Sequence, residues 1–405
     1  MMKSSVILIY ILHVFVDLRG QSVKEFVNMA KQYSPDLKAL HMDYEAALMK
    51  VDQVNEWPDP VVNIGLGILP VETRLGAQRF RVGVQQMIPW KGSLQAKSNL
   101  ERSKAEVKSK LDLVAEIDIE YSINTAYQAL QFLAGKQKII NRKLEVLDAL
   151  EALAKSALRS GKGKLSNVLL TERSKNTLEF DIDLIQKRKE PHTIMINKLV
   201  GRSLYTEVVL DEQLDSTRIK EVLIKYAEEE HPQYGVFQDY ISLADSKIEL
   251  TKYVGKPQLG VGLEYGLITE RKDVELINNG RDVLMPMGKI SLPLHRQKYD
   301  AMVEEALLNK AAIRERESLL RDKLVAEIEG AFSSIELAKQ EMEKYESLKK
   351  ITKETLKLLR MEFATEGTRF EELLRIEMEL VNYDMQILQA RFARNLAFAT
   401  LDKFK

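Results

Sequence analysis

The chain has 405 residues, and its 60 basic side chains are balanced by 60 acidic ones, so no net field draws nucleic acid to it. An apolar content of 45% excludes a disordered chain, while a charged content of 30% suits long solvated helices. There is no cysteine for a disulfide framework or for a lipid anchor.

Met1-Met2-Lys3 gives a basic start, Val6 to Val16 an apolar run, and Leu18-Arg19-Gly20-Gln21 a polar exit. The run falls short of the roughly twenty residues that cross a bilayer as a helix. It reads as a secretory signal peptide over residues 1–20, cut after Gly20, with a buried N-terminal helix as the bland alternative. Helix is expected from Ser22 to Glu56, interrupted at Ser34-Pro35-Asp36, where Ser34 is a plausible N-cap and Pro35 suits a first turn. Trp57-Pro58-Asp59-Pro60 then stops it.

The period changes next. From Val61, one face carries Val62, Ile64, Leu66 and Ile68, and the other Asn63, Gly65 and Gly67. From Arg79, Phe80, Val82, Val84, Gln86 and Ile88 alternate with Arg81, Gly83, Gln85 and Met87. Period two means strand, so a hairpin is expected over residues 60–90 with a turn near Glu72 to Gln78.

From Lys91 to Ser160 no proline occurs, and Gly135 is the only internal glycine after Gly92. Leu111, Val114, Tyr121, Leu130, Leu133, Ile140, Leu144, Leu147, Ala154 and Leu158 give it helical spacing. As one helix it would extend roughly 100 Å, too long for a compact globule, so its stripe must lie on other long helices. Ser160-Gly161-Lys162-Gly163-Lys164 supplies a cap and reversal; it lacks the spacing of a phosphate loop. Helix resumes at Leu165 and runs towards Lys198, with a kink expected at Pro191 and a linker over Gly201 to Asp215.

Then the pattern returns. Pro35 recurs as Pro232, Pro60 as Pro257 and Gly65-Leu66 as Gly262-Leu263, all 197 positions on. Leu259, Val261, Leu263 and Tyr265 alternate with Gln258, Gly260, Gly262 and Glu264. A second long helix is expected from Gln297 to Thr365, with a seam at Leu324, Ile328, Ala331, Ile335 and Ala338. Past the turn at Glu366-Gly367-Thr368-Arg369, Phe370, Leu373, Leu374 and Glu377 match Leu165, Val168, Leu169 and Glu172. The chain is therefore a duplication. Residues 21–205 form one repeat, with its tip near 161–164, and residues 206–405 the other, with a hairpin over 257–294 and a tip near 366–369. The fold class is mainly α with β: long antiparallel coiled-coil helices plus two β-hairpins.

Four strands cannot close a barrel, and open edges need partners. An exported chain with apolar-out, polar-in strands suits a transmembrane barrel shared between chains. Two chains would give eight strands and a filled interior; three would give twelve and a pore.

At this point the sequence resembles the TolC family of outer membrane efflux channels, over nearly all of the expected mature chain. The resemblance is carried by Ser34-Pro35-Asp36-Leu37, His231-Pro232, Pro58-Asp59-Pro60 and two tip motifs. These begin Gly161-Lys162-Gly163-Lys164-Leu165-Ser166 and Gly367-Thr368-Arg369-Phe370-Glu371-Glu372. The tip wording is most similar to a heavy-metal-efflux, CzcC-like branch. The resemblance implies a homotrimer with a twelve-stranded barrel in outer membrane lipid and a helical tunnel in the periplasm. It also implies docking to a periplasmic adaptor (a membrane fusion protein) and an inner-membrane pump of RND type, with Gly161, Lys162, Gly163, Lys164, Gly367, Thr368 and Arg369 at the docking tips. Some relatives carry a lipid-modified cysteine; with none here, anchorage is expected to rest on the barrel.

No catalytic, cofactor or metal constellation stands out. His13, His41, His192, His231 and His295 are scattered without ligand spacing. Met285-Pro286-Met287 reads as packing in a strand more readily than as a soft-metal site. Glu371, Glu372 and Glu377, with Glu366, have two readings: an ordinary solvated helix face, or carboxylates lining a channel mouth that would favour cations. The expected function is a passive exit duct. A periplasmic coiled-coil structural or adaptor protein and an exported enzyme are the competing classes, and the cargo leaves no pocket in the sequence.

Overall fold

The structure, a computed structural model, describes residues 22–211, 219–273, 275, 277–366 and 369–404. The expected signal peptide and the tip residues Gly367 and Thr368 lie outside the described residues.

The elements run α1 (Val23–Tyr33), α2 (Pro35–Asn55), β1 (Val61–Thr73), β2 (Gly76–Ile88), α3 (Ser93–Ser109), α4 (Leu111–Arg159) and α5 (Leu165–Leu199). Then follow α6 (Lys220–Glu229), α7 (Pro232–Val254), β3 (Gln258–Thr269), β4 (Val283–Ser291), α8 (Arg296–Glu366) and α9 (Phe370–Leu401). A single 3-10 turn, Asp402–Phe404, ends the described chain. Each half runs helix, helix, strand, strand and then long helices, three of them in the first half and two in the second.

The two long helices differ. α8 is continuous over 71 residues. The stretch expected as its counterpart, Lys91 to Ser160, is instead two helices that part at Lys110. No proline or glycine marks the break; two side-chain interactions lie at it. Ser109 Oγ donates to the carbonyl of Glu106 at 2.7 Å, a local bond that competes with the helical ladder. Lys110 Nζ reaches across to Asp239 at 2.9 Å and to the Gly235 carbonyl at 3.3 Å, both on α7.

The chain divides into two compact units, each drawing on both sequence repeats. One comprises Pro35–Glu116 and Ile224–Ala326 and holds the sheet. Its strands lie in the order β1-β2-β3-β4, every neighbouring pair antiparallel. The first hairpin is tighter than expected: β1 continues to Thr73 and β2 starts at Gly76, leaving Arg74 and Leu75 as the turn. Thr73 Oγ1 donates to the Gly76 carbonyl at 2.7 Å and accepts from the Leu75 N–H at 3.3 Å. Gly76 has φ +132°, and a Cβ there would stand 1.9 Å from the Thr269 carbonyl oxygen of β3. Only glycine satisfies both conditions. Pro70 falls in edge strand β1, between Leu66 and Val71, where the register shifts.

The other unit comprises Met1–Ser34, Ile117–Leu223 and Glu327–Lys405. Its core joins all four long helical segments: Leu133, Ile140 and Leu147 of α4, Leu178 and Ile185 of α5, Leu356 and Phe363 of α8, and Phe370 and Leu373 of α9. The α4 positions recur every seven residues, the spacing of a coiled-coil seam. In the expected α8 seam, Leu324, Ile328, Ala331 and Ala338 are buried and Ile335 is half-buried.

Candidate functional site

Two features of the structure bear on function. The first is the sheet. In an antiparallel pair, directly opposed residues share a face. Ile64 opposes Val82, Val82 opposes Tyr265 and Tyr265 opposes Leu284. Leu66 with Phe80, Val62 with Val84 and Leu263, and Ile88 with Leu259 and Ile290 extend the same face. The face is apolar except at Gln86, which opposes Val261, and Ile64 is 68% exposed, Leu66 76% and Ile290 65%. The strand phase expected from alternation is the phase of the register.

The opposite face is polar and glycine-rich: Asn63 opposes Gly83, Gly83 opposes Glu264, and Glu264 opposes Met285. Glycines here leave room for long neighbours. A Cβ at Gly65 would meet the Arg81 side chain at 2.7 Å, one at Gly260 the Met87 sulfur at 2.9 Å, and one at Gly266 the Gln78 amide at 2.6 Å. Arg81, Glu264 and Lys289 place charge on this face. Reading for site residues passed over these three, although their parity along the strands already marked them.

An apolar face of this extent, exposed and with open edges at β1 and β4, is not a surface that stays in water. No helix among the described residues is long and apolar enough to cross a membrane.

The second feature is the helical tip. α4 ends in a reversal where the Lys162 and Gly163 N–H groups both reach the Ala157 carbonyl, at 3.0 and 2.9 Å. Gly161 holds φ +74° with open space around it, whereas a Cβ on Gly163 would lie 2.8 Å from the Leu158 backbone nitrogen. Both glycines are thus required, for different reasons. Lys162, Lys164 and Leu165 are exposed there. At the other tip Arg369, with φ 66°, pairs with Glu362 at 2.7 Å and Glu372 at 2.9 Å. Glu371 is exposed.

Glu377, grouped in the sequence with the mouth carboxylates, is buried instead. Its carboxylate accepts from Lys143 Nζ at 2.8 Å and from Arg360, and its backbone carbonyl accepts from Lys143 at 2.6 Å. Both Lys143 and Glu377 side chains are 5% exposed, while Arg360 is 56% exposed. Burial pushes the Lys143 pKa down; the hydrogen bond and charge of Glu377 oppose that shift. Lys143 lies three residues after Ile140 and four before Leu147, so the sequence had offered a charged residue at a seam position. Of the histidines, His231 is a buried N-cap whose Nδ1 accepts from the Gln233 N–H at 3.3 Å.

No protein-family model matches the chain, and no curated protein is similar to it in sequence. Solved structures are similar in fold. The outer membrane protein VceC of Vibrio cholerae aligns over 94% of this chain and 95% of its own, with TM-score 0.75 and 16% identity. CusC, described in terms of transmembrane channel formation, aligns over 94% and 90%, with TM-score 0.76 and 15% identity. The open outer membrane channel MtrE of Neisseria gonorrhoeae aligns over 94% and 88%, with TM-score 0.71 and 13% identity. This chain has the fold of outer membrane channels. At these identities the likeness is one of fold, and at that level the resemblance to the TolC family stands.

Proposed function

We propose that the chain is the outer membrane component of a tripartite efflux system, a passive duct for cargo delivered by an inner-membrane pump. The observation that carries this reading is the two-faced sheet with both edges open. Pairing β1 of one copy with β4 of the next would satisfy the edges, and three copies would close twelve strands around a polar pore. The apolar face would then meet lipid, and Arg81, Glu264 and Lys289 would line the lumen. The helical hairpins would form the periplasmic tunnel. The tips, with Gly161, Lys162, Gly163 and Lys164 on one side and Gly367, Thr368 and Arg369 on the other, would dock a periplasmic adaptor working with an RND-type pump. Glu371 and Glu372 remain candidates for the mouth, while Glu377 acts as an internal tie. Heavy-metal cations are the cargo to test first, on the wording of the tips. On this reading each chain supplies a third of the tunnel wall, and its repeats 21–205 and 206–405 a sixth each.

The test is assembly and conductance of the full chain. The expected particle is a heat-modifiable trimer that floats with outer membranes and forms channels in planar bilayers. A water-soluble monomer from the periplasm would overturn the proposal and favour the structural or adaptor reading.

A further inference from the structure

We infer that a notch at the base of the two central strands binds the headgroup of an acidic phospholipid. The inference rests on the membrane-spanning reading of the sheet and deepens it. A cavity of about 430 Å³ opens where β2 ends and β3 begins. Those strand ends are paired, Ile88 with Leu259. Leu250, Tyr253 and Val254, spaced as one face of α7, line it together with Trp90. A Cβ on Gly92, at φ +88°, would come within 2.9 Å of the Tyr253 hydroxyl, so glycine lets the ring close over the start of α3.

The charge in this notch has one sign. Lys97 and Lys256 line it, no carboxylate does, and both lysines are exposed. Among the described residues neither takes part in an ion pair. The first turn of α3 also lacks an acidic residue and a capping side chain, so its partial positive charge adds to theirs.

Phosphate is the chemistry that fits, and two features select a lipid phosphate over a free one. Ile88, which lines the notch with Met87 and Gln258, is opposed by Leu259 on the exposed apolar face of the sheet, so the notch adjoins that face. Trp90 and Tyr253, each with an apolar body and a polar edge, are side chains suited to the level where hydrocarbon gives way to headgroups. β2 and β3 are the central strands, so a second copy pairing along β1 or β4 does not require this notch.

The experiment uses the full chain purified in detergent and reconstituted with phosphatidylethanolamine alone or mixed with phosphatidylglycerol. Native mass spectrometry reads the lipid that remains bound. Phosphatidylglycerol should be retained about tenfold over phosphatidylethanolamine, and the pair Lys97→Gln with Lys256→Gln should remove that preference. Trp90→Ala should shorten retention of both lipids. Millimolar inorganic phosphate should displace nothing. Equal retention of the two lipids, an unchanged preference in the double variant, or displacement by free phosphate would each overturn the inference. Failure of the wild-type chain to float with vesicles would instead sink the membrane reading itself, which separates the two claims.

Discussion

Lys143 and Glu377 form an ion pair inside an apolar core, a setting where each partner's charge depends on the other. Lys143→Met leaves the Glu377 carboxylate buried, with only Arg360 beside it, and should lower unfolding stability by about 3 kcal/mol. Combining it with Glu377→Met should recover most of that loss, because Arg360 is exposed enough to stay hydrated. Chemical denaturation of the solubilised chains checks both; a loss in the double variant equal to the sum of the two single losses would show that the pair is not coupled. A second ionic tie, Lys175 to Glu151 at 2.7 Å, clips α5 to α4. Hydrogen bonds from Lys155 and then Lys175 hold the Glu151 pKa below its ordinary value of 4.5. A depressed carboxylate contributes stability above its unfolded pKa and loses it as pH falls through the folded one. Wild type should therefore exceed Glu151→Gln by roughly 0.5–1 kcal/mol at pH 7, and the two should converge in thermal melts as pH falls through the lowered pKa of Glu151.

Each strand carries both environments, one residue apart. Arginine in place of Ile64 or Val261 sits on the apolar face, and near a bilayer midplane it should cost about 2–4 kcal/mol. Arginine in place of Asn63 or Gln258 sits on the polar face beside glycines and should be tolerated. Yield of heat-modifiable trimer from outer membranes reads the difference. Equal responses would mean that the faces are not in lipid and water. Among the helices, the break at Lys110 is an element boundary without a breaker residue. Ser109 and Lys110 spend their polar groups on bonds to Glu106, Gly235 and Asp239.

For the assembled molecule, the informative charges are those left at the surface. Glu371 is exposed and Glu372 shares its charge with Arg369, so if the proposed channel is cation-selective at this tip, reversing both to lysine should invert that preference. Single-channel recording in planar bilayers measures this directly. An unchanged preference and conductance would return both carboxylates to an ordinary solvated helix face.

The sequence by itself determined the period of every long element. Period two over Val62 to Leu66 and Leu259 to Tyr265 is enough to separate the faces, because successive strand side chains must alternate. Helical spacing does the same for the Leu133, Ile140 and Leu147 seam, and paired prolines and glycines mark the boundaries between elements. These are local properties, set by backbone geometry within a few residues. The tertiary structure decided what depends on distant neighbours. It fixed the strand order, the two-residue turn held against Thr269, the interruption at Lys110, and the burial of Glu377 against a lysine 234 positions away. Glu371 and Glu377 are alike as letters on one helix. They differ because one side of α9 faces the core and the other does not, and only packing assigns the sides.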